Sequence, residues 1–445
     1  MSQPNQQEQT PDPEIKLSRR EELSRQIKEL IILSSGEGAR KGYLAAIDQG
    51  IISLSNFLAT LILARYVSPT ELGVYTVGFI ILRLTRVIQD GSIIQPLNTF
   101  GATMNIARFR RYFTSTALLQ LTMALLLSTI SAVLGWILIE TGNDTLGPTI
   151  FVLWAPISAW QLQEFIRRSL YTRGDVFNAT INTSISDLVR MGLLIYWAIE
   201  GNLSGTAGLY AIAIGSFVAL LPGMWQTRAY WSRNFYNLLL TWNHNWRFGS
   251  WITGGNILNW VSVEFYPVLA AGIVSFAAAG AYRALQTLVS PIHMLLRAID
   301  TYLTPRAARD YKESGLPALS RTLRLTYFVV GLPSLALIIT TILFPKPILQ
   351  LLYGDRYLEF SSGIILMAIV YTLLYVNWPI QIVLKAARFS QPIFIANLVA
   401  TIFTFTLGIW VIYQWGVYGT IAGQALNALI VTIILGGAWI RFLRK

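Results

Sequence analysis

Cysteine is absent from this 445-residue chain, which excludes disulfides, thiolate metal sites and cysteine nucleophiles. Histidine is almost absent: His244 and His293 are the only two, far apart in sequence. No HExxH, Walker A loop, GxSxG or clustered carboxylate motif occurs. These gaps predict a chain that is not an enzyme and that holds no metal and no cofactor. Charge is also scarce, at 13% of residues, against about 25% in soluble domains. What fills the chain instead is apolar, 54% of residues with a mean hydropathy of +0.51, and this predicts an integral membrane protein. The net charge of +12 would suit nucleic acid, but its placement argues for orientation in a membrane, with membrane lipids as the surroundings and no nucleic acid partner.

The first residues, 1 to 14, are rich in Gln, Pro and Glu and read as disordered. "LSRREELSRQIKELIIL" then puts Leu23, Ile27, Leu30 and Ile31 on one face among Arg and Glu, as in a helix lying on a membrane surface. No cleavable signal peptide precedes the first apolar run. A spanning helix needs about 20 mostly apolar residues. Twelve stretches qualify: 43–66, 72–96, 114–139, 146–167, 181–200, 206–226, 249–275, 279–304, 323–345, 361–384, 389–413 and 417–440. With the amino terminus inside, the inside segments hold twenty-five Lys and Arg, and the outside loops hold two, Lys346 and Arg356. Cytoplasmic loops carry such an excess. The count therefore predicts an all-α polytopic, multi-pass membrane protein with twelve spans and both termini cytoplasmic. The outside loops are short, the longest running over 344–360, with no room for a folded domain.

"VSPTELGVY" (Val67 to Tyr75) and "VSFAAAGAY" (Val274 to Tyr282) share V-S-x4-G-x-Y. The offset of 207 residues equals six spans in the independent hydropathy count. Two six-helix lobes in the same orientation follow, related by a pseudo-two-fold axis along the membrane normal. The chain divides into an arm at 1–42, an N-lobe at 43–226, a cytoplasmic linker at 227–248, a C-lobe at 249–440 and a basic tail at 441–445.

The second span carries charge near its middle, in "LRLTRVIQDG" (Leu82 to Gly91). Its helical series Thr76, Phe79, Arg83, Arg86 and Asp90 maps by the same offset onto Arg283, Gln286, Ser290, His293 and Arg297, and Asp300 continues the line. Facing lobes would bring both stripes to one central space. Arg86 with Asp90, and Arg297 with Asp300, are spaced to pair locally, which would make them structural. Arg83 and Arg283 have no acidic residue at pairing distance along their own helices. Intramembrane charges face a bundle interior or a water-filled cavity and mark transport paths. The stripes therefore predict a cationic cavity for an anionic cargo.

The stretch "LAAIDQGIISLSNFLATLILARYVSPTELGVYTV" resembles the first helix and turn of Wzx-type polysaccharide (O-antigen) flippases. These belong to the multidrug/oligosaccharidyl-lipid/polysaccharide exporter superfamily. "QLQEFIRRSLYTRGDVFNA" is similar to that family's fourth-helix exit, and "GVYGTIAGQALNALI" to its last helix. The similarity covers about residues 40–440. It implies a V-shaped, two-lobed bundle working by alternating access. The implied cargo is an undecaprenyl-pyrophosphate-linked oligosaccharide, moved from the cytoplasmic to the outer leaflet for polysaccharide (lipopolysaccharide) biosynthesis. The pathway's polymerase and chain-length machinery are implied further partners.

On this reading Arg83, Arg86, Arg283 and Arg297 replace the hydration that the pyrophosphate loses, with Gln286 and His293 beside them. Asn56, Asn256, Asn259 and Trp260 offer hydrogen bonds and an aromatic face to sugars; the bland alternatives are interhelical hydrogen bonds and packing. Asp48, Asp90, Glu264 and Asp300 are candidates for ion coupling or gating. Asp48, and Asp187 with Arg190, read as structural pairs or cytoplasmic gate elements, and the Glu164–Arg167–Arg168 cluster as charge at the inner interface. Two transporters of the same superfamily compete. A cation-coupled multidrug exporter would be expected to carry acidic stripes, and a peptidoglycan-precursor flippase fourteen helices. A membrane enzyme of the pathway would need a large outside loop.

Overall fold

The computed structural model describes residues 37–387 and 389–444. The surface helix expected in the amino-terminal arm lies outside them. Among the described residues the chain is helical and has no strand. All twelve expected spans are helices. They are α1 (Glu37–Tyr66), α2 (Pro69–Gln89, continuing through Asp90–Ile94 into Gln95–Gly101), α3 (Ile106–Glu140), α4 (Leu146–Val152 and Trp154–Thr172), α5 (Val176–Ile199) and α6 (Gly205–Gln226). The second six begin with α7 (Leu238–Glu264 and Tyr266–Ile273) and with α8, formed by Phe276–Val289 and the first arm of Pro291–Leu343. The second arm of Pro291–Leu343 is α9, α10 is Gly363–Ala386, and α11 runs through Gln391–Phe403, Thr404–Gly408 and the first arm of Ile409–Leu443, whose second arm is α12. The corners inside the two merged helices fall at Gly315 (φ 67°) and Gly416 (φ 56°), a backbone region that side chains other than glycine enter at a cost.

Local chemistry places the ends. Ser68 and Ser275, the serines of the repeat, cap α2 and α8 by accepting hydrogen bonds from the amides of Glu71 (3.2 Å) and Ala278 (3.1 Å). In α2, Pro96 lacks an amide hydrogen and its ring crowds the carbonyl four residues back. The helix widens there to a π-turn, with the Gln95 amide donating to the Asp90 carbonyl. The seventh helix departs from expectation. Asn237 caps it, its side chain accepting from the Leu240 amide at 3.1 Å, so the helix begins well before 249 and much of the expected linker 227–248 is helical. That segment carries Asn, His and Arg, which lowers its hydropathy. It packs on the N-lobe, with His244 and Phe248 against Phe100 (4.5 and 5.1 Å between ring centroids) and the Tyr112 hydroxyl donating to Asn245 at 2.7 Å.

Six stretches of described helix are long and apolar enough to cross a membrane on composition alone. They cover α1, α3, α6 and α9 to α12. The spans left out are α2, α4, α5, α7 and α8, which carry the intramembrane charges or are broken. A helix that faces a wet interior gives up hydropathy on that face.

The apolar core is divided unevenly. One large cluster joins both lobes at the arginine-poor end, where Leu63, Leu72 and Tyr75 meet Tyr282, Leu285, Tyr353 and Tyr357. Two smaller clusters lie at the arginine-rich end, each within its own region. One holds Ile93, Phe109, Phe113 and Phe165; the other holds Ile380, Leu384, Leu435 and Trp439. The lobes therefore share one apolar core at one end, while at the other each keeps its own cluster and they touch through the start of α7. The fusion is built on the repeat itself. A Cβ on Gly73 would stand 1.8 Å from the Phe276 carbonyl oxygen, and one on Gly280 would stand 2.0 Å from that of Pro69. Each contact is the other shifted by 207 residues, so the pseudo-two-fold axis passes between the starts of α2 and α8. Across the same end, Arg65 donates to the Leu351 carbonyl at 2.8 Å and Arg356 to the Val67 carbonyl at 2.5 Å.

Candidate functional site

Between the lobes lies a cavity of about 460 Å³, walled mainly by α1, α2, α4, α7 and α8. It holds nine of the fourteen candidate residues: Asn56, Arg83, Arg86, Asp90, Asn256, Glu264, Arg283, Gln286 and His293. The two stripes do face one space. Asn259 and Trp260 lie instead in a second cavity of about 620 Å³ within the C-lobe, which Asn256 also borders. Asp48 is buried beside the first cavity without lining it. The side chains of Arg297 and Asp300 lie outside the described residues.

The arginines are more fully paired than their own helices suggest. Arg83 has an acidic partner after all: Nη1 lies 2.8 Å from Glu264 Oε1 across the lobe boundary, from α2 to α7. Arg86 does not pair with Asp90. It reaches Glu164 on α4 at 2.5 Å and lies over the Trp160 ring, 4.5 Å from its centroid. Asp90 accepts from Gln95 (3.3 Å) and Asn256 (3.5 Å). Arg283 has a different environment. Nη1 donates to Gln286 at 2.8 Å, the guanidinium stands 5.9 Å from the Phe79 centroid, and Nε has no hydrogen-bond partner. Among the described residues no carboxylate lies within 4.0 Å of it. His293 packs against Tyr371 and Trp378, at 5.1 and 5.9 Å between ring centroids.

The Glu164–Arg167–Arg168 cluster packs into the protein instead of standing free on its surface. Glu164 and Arg167 are buried. Glu164 accepts from Arg167 through both nitrogens of its fork, each at 2.8 Å, from Arg168 at 2.8 Å and from Arg86. Arg167 also reaches Asp48 at 2.6 Å, and Asp48 accepts from Tyr171 at 2.7 Å. Three guanidiniums thus share two carboxylates, which leaves a surplus positive charge in the wall, with Arg86, Arg167 and Arg168 all on the cavity lining. Asp187 and Arg190 stand 3.7 Å apart, and Arg190 also donates to Asn56 and Ser55, each at 3.1 Å. Sequence reasoning missed Trp160, Arg167 and Arg168 as cavity residues. The signal lay in the i, i+4 spacing of Glu164 and Arg168, which places both on one face of a helix.

The Arg83–Glu264 bridge crosses the boundary that must open if the lobes rock. Residues sharing an ion pair show coupling energies of about 0.5–3 kcal/mol. Arg83→Glu and Glu264→Arg are each expected to lower the melting temperature of the purified protein, and the exchanged double variant to recover part of it. Strictly additive losses would show that the bridge contributes nothing to this state.

The family model described as "polysaccharide biosynthesis protein" matches residues 62–362. Among solved structures, the lipid II flippase MurJ in an inward closed conformation superposes with a TM-score of 0.68 at 15% identity. The match covers 88% of this chain and 86% of that one. An inward-facing multidrug resistance MATE family transporter of the MOP superfamily gives 0.67 at 14% identity, over 89% and 97%. A eukaryotic MATE transporter, AtDTX14, gives 0.64 at 14%, over 93% and 96%. At these identities the likeness is one of fold, the twelve-span, two-lobe architecture. No curated protein sequence matches the chain.

Proposed function

The chain belongs to the polysaccharide biosynthesis protein family, and from that premise we propose that it carries a polyprenyl-pyrophosphate-linked oligosaccharide from the cytoplasmic to the outer leaflet of the cell inner membrane. The observation that carries this reading is the placement of Arg83, Arg86 and Arg283 around one cavity between two lobes. The physical problem is a hydrated dianion facing about 30 Å of hydrocarbon. Guanidinium forks match phosphate oxygens and supply charge-assisted hydrogen bonds in place of water. Arg283 offers the cation without a carboxylate, and the head group would compete with Glu264 for Arg83.

The state described here fits loading from the arginine-rich side. The opposite end is sealed by the reciprocal glycine contacts. On the α7 side the wall is also closed, since a Cβ on Gly249 would lie 2.0 Å from the Gly91 carbonyl oxygen. On the α1 side it is looser: Gly42 and Gly50 have no described atom within 4 Å of where a Cβ would stand, and Tyr43, Ile47 and Leu54 are exposed. A gap there would let the polyprenyl chain stay in the bilayer while the head group enters. The membrane potential helps export of negative charge by about 2.3 kcal/mol per charge per 100 mV.

Alanine at Arg83, Arg86, Arg283 or Arg297 is the direct test. Removing a hydrogen bond to a charged group costs about 1.5–3 kcal/mol, so surface polysaccharide is expected to fall roughly ten- to a hundredfold at unchanged protein level. Normal surface glycan in all four variants would sink the proposal. A loss confined to peptidoglycan would move the cargo to the cell-wall precursor.

A further inference from the structure

The second cavity differs in chemistry from the first. It is enclosed by α7, α10, α11 and α12 and opens into the central cavity at Arg83, Glu264 and His293, which border both. Lys385, exposed, stands on its lining near the arginine-rich end of α10. Apart from these four, the described lining carries no ionisable group: it is made of amides, indoles, a few hydroxyls and aliphatic side chains. At about 620 Å³ it falls in the range of ligand pockets.

Two of its buried polar groups are unsatisfied. Trp260 is 5% exposed and its indole Nε1 has no hydrogen-bond partner. Asn377 is 2% exposed; its Nδ2 donates to the Ala428 carbonyl at 3.3 Å while Oδ1 is left without a partner. A buried donor or acceptor left unmade is costly, and here one of each sits on a side chain that lines the chamber, the atom itself without accessible surface in this state. Gln381 and Asn397 add further amides, and Trp378 an indole face. Amide donors and acceptors beside indole faces suit hydroxyl and acetamido groups on an apolar ring. They can donate to a carboxylate but supply no charge to offset one, and the cations of the lining stand at its mouth and at the arginine-rich end of α10.

We propose that this chamber is the glycan subsite, and that it takes uncharged sugars, hexose or N-acetylhexosamine, while the pyrophosphate stays among the arginines of the central cavity. The inference rests on the cargo proposed above and adds where its sugars sit and what class they belong to. The head group is thus read in two parts by two lobes, charge mainly by the N-lobe wall and hydroxyls by the C-lobe.

The test uses the purified full-length chain in nanodiscs and three lipid probes: undecaprenyl pyrophosphate, the same lipid carrying a neutral trisaccharide, and the same lipid carrying a trisaccharide that ends in a hexuronic acid. A few neutral hydrogen bonds correspond to roughly tenfold in affinity, so the neutral trisaccharide probe should bind about that much more tightly than the bare lipid. Asn377→Leu should erase this advantage and leave bare-lipid affinity in place. Gln381→Ala, at a half-buried position, makes the same test should the first variant fold poorly. The hexuronic probe should lose most of the advantage in the wild type. Equal binding of all three probes, or an equal loss of all three in the chamber variants, overturns the subsite. If no probe binds the wild type, the proposed cargo itself falls and takes the subsite with it.

Discussion

Leucine at both Gly73 and Gly280 is expected to abolish polysaccharide export while leaving a folded protein in the membrane. Each glycine is the point where one repeat lies on the other. A Cβ at either would sit 1.8 or 2.0 Å from a backbone carbonyl oxygen, far inside van der Waals contact, and backbone cannot swing aside as a side chain can. Overpacking typically costs about 1–3 kcal/mol per site. Moving a two-state equilibrium from one side to the other takes about 5.5 kcal/mol, so two bulky substitutions are needed where a single alanine would only bias it. The strain is confined to the state in which α2 and α8 touch, and it is relieved when that end opens. The variant should therefore rest with the arginine-poor end open. The lack of native cysteine makes this readable. Ser290→Cys places the only thiol on the cavity wall. An impermeant maleimide added outside should label it in the Gly73→Leu/Gly280→Leu background and scarcely in the parent. Unchanged labelling together with normal export would show that the glycine contact is not the outer seal.

The repeat that carries this prediction was legible in the sequence because it is a covalent pattern. Ser68 and Ser275 must cap, and Gly73 and Gly280 must lack a Cβ, so both copies keep the same residue types at the same spacing. The span count was legible for a similar reason: hydrocarbon thickness fixes helix length. The partners of the charges were not. Arg83 and Glu264 sit in different lobes, and their meeting depends on how α2 and α7 are rotated about their axes, which no local period encodes. Hydropathy also cannot separate a charge at the head-group level from one buried beside a wet cavity, since both interrupt an apolar run. That is why the burial of the Glu164 cluster beside the cavity was not legible. The start of α7 escaped because a helix packed on another lobe through Phe100 and Tyr112 needs no membrane-length apolar run.

Glu164→Gln should cost more stability than any other single substitution in the cavity wall. Glu164 is the common acceptor of Arg86, Arg167 and Arg168, and its side chain is 4% exposed. With glutamine in its place, Asp48 is the one carboxylate left in the network for three guanidiniums, and the new amide group turns a donor toward donors. Removing one partner of a buried ion pair destabilises by about 3–5 kcal/mol, because the charges that remain are uncompensated. Arg86→Gln should be milder. It leaves Glu164 with two arginines, and Arg86 itself is 27% exposed, so less burial is lost. The measurement is thermal unfolding of the two purified variants beside membrane abundance in cells. Glu164→Gln should melt well below the parent and Arg86→Gln between them. Adding Arg86→Gln to Glu164→Gln should recover stability by removing one stranded charge, though not export, since Arg86 is then gone from the cavity. Equal melting of Glu164→Gln and the parent would mean that water reaches the cluster and screens it, and the wall would then owe its shape to packing alone. A fall in stability with recovery in the double variant would instead tie the cavity's positive surplus to the same buried carboxylate that holds the N-lobe together. On that outcome the arginines facing the cargo are positioned by stability, and α4 could not lose its charge without unfolding the lobe that presents it.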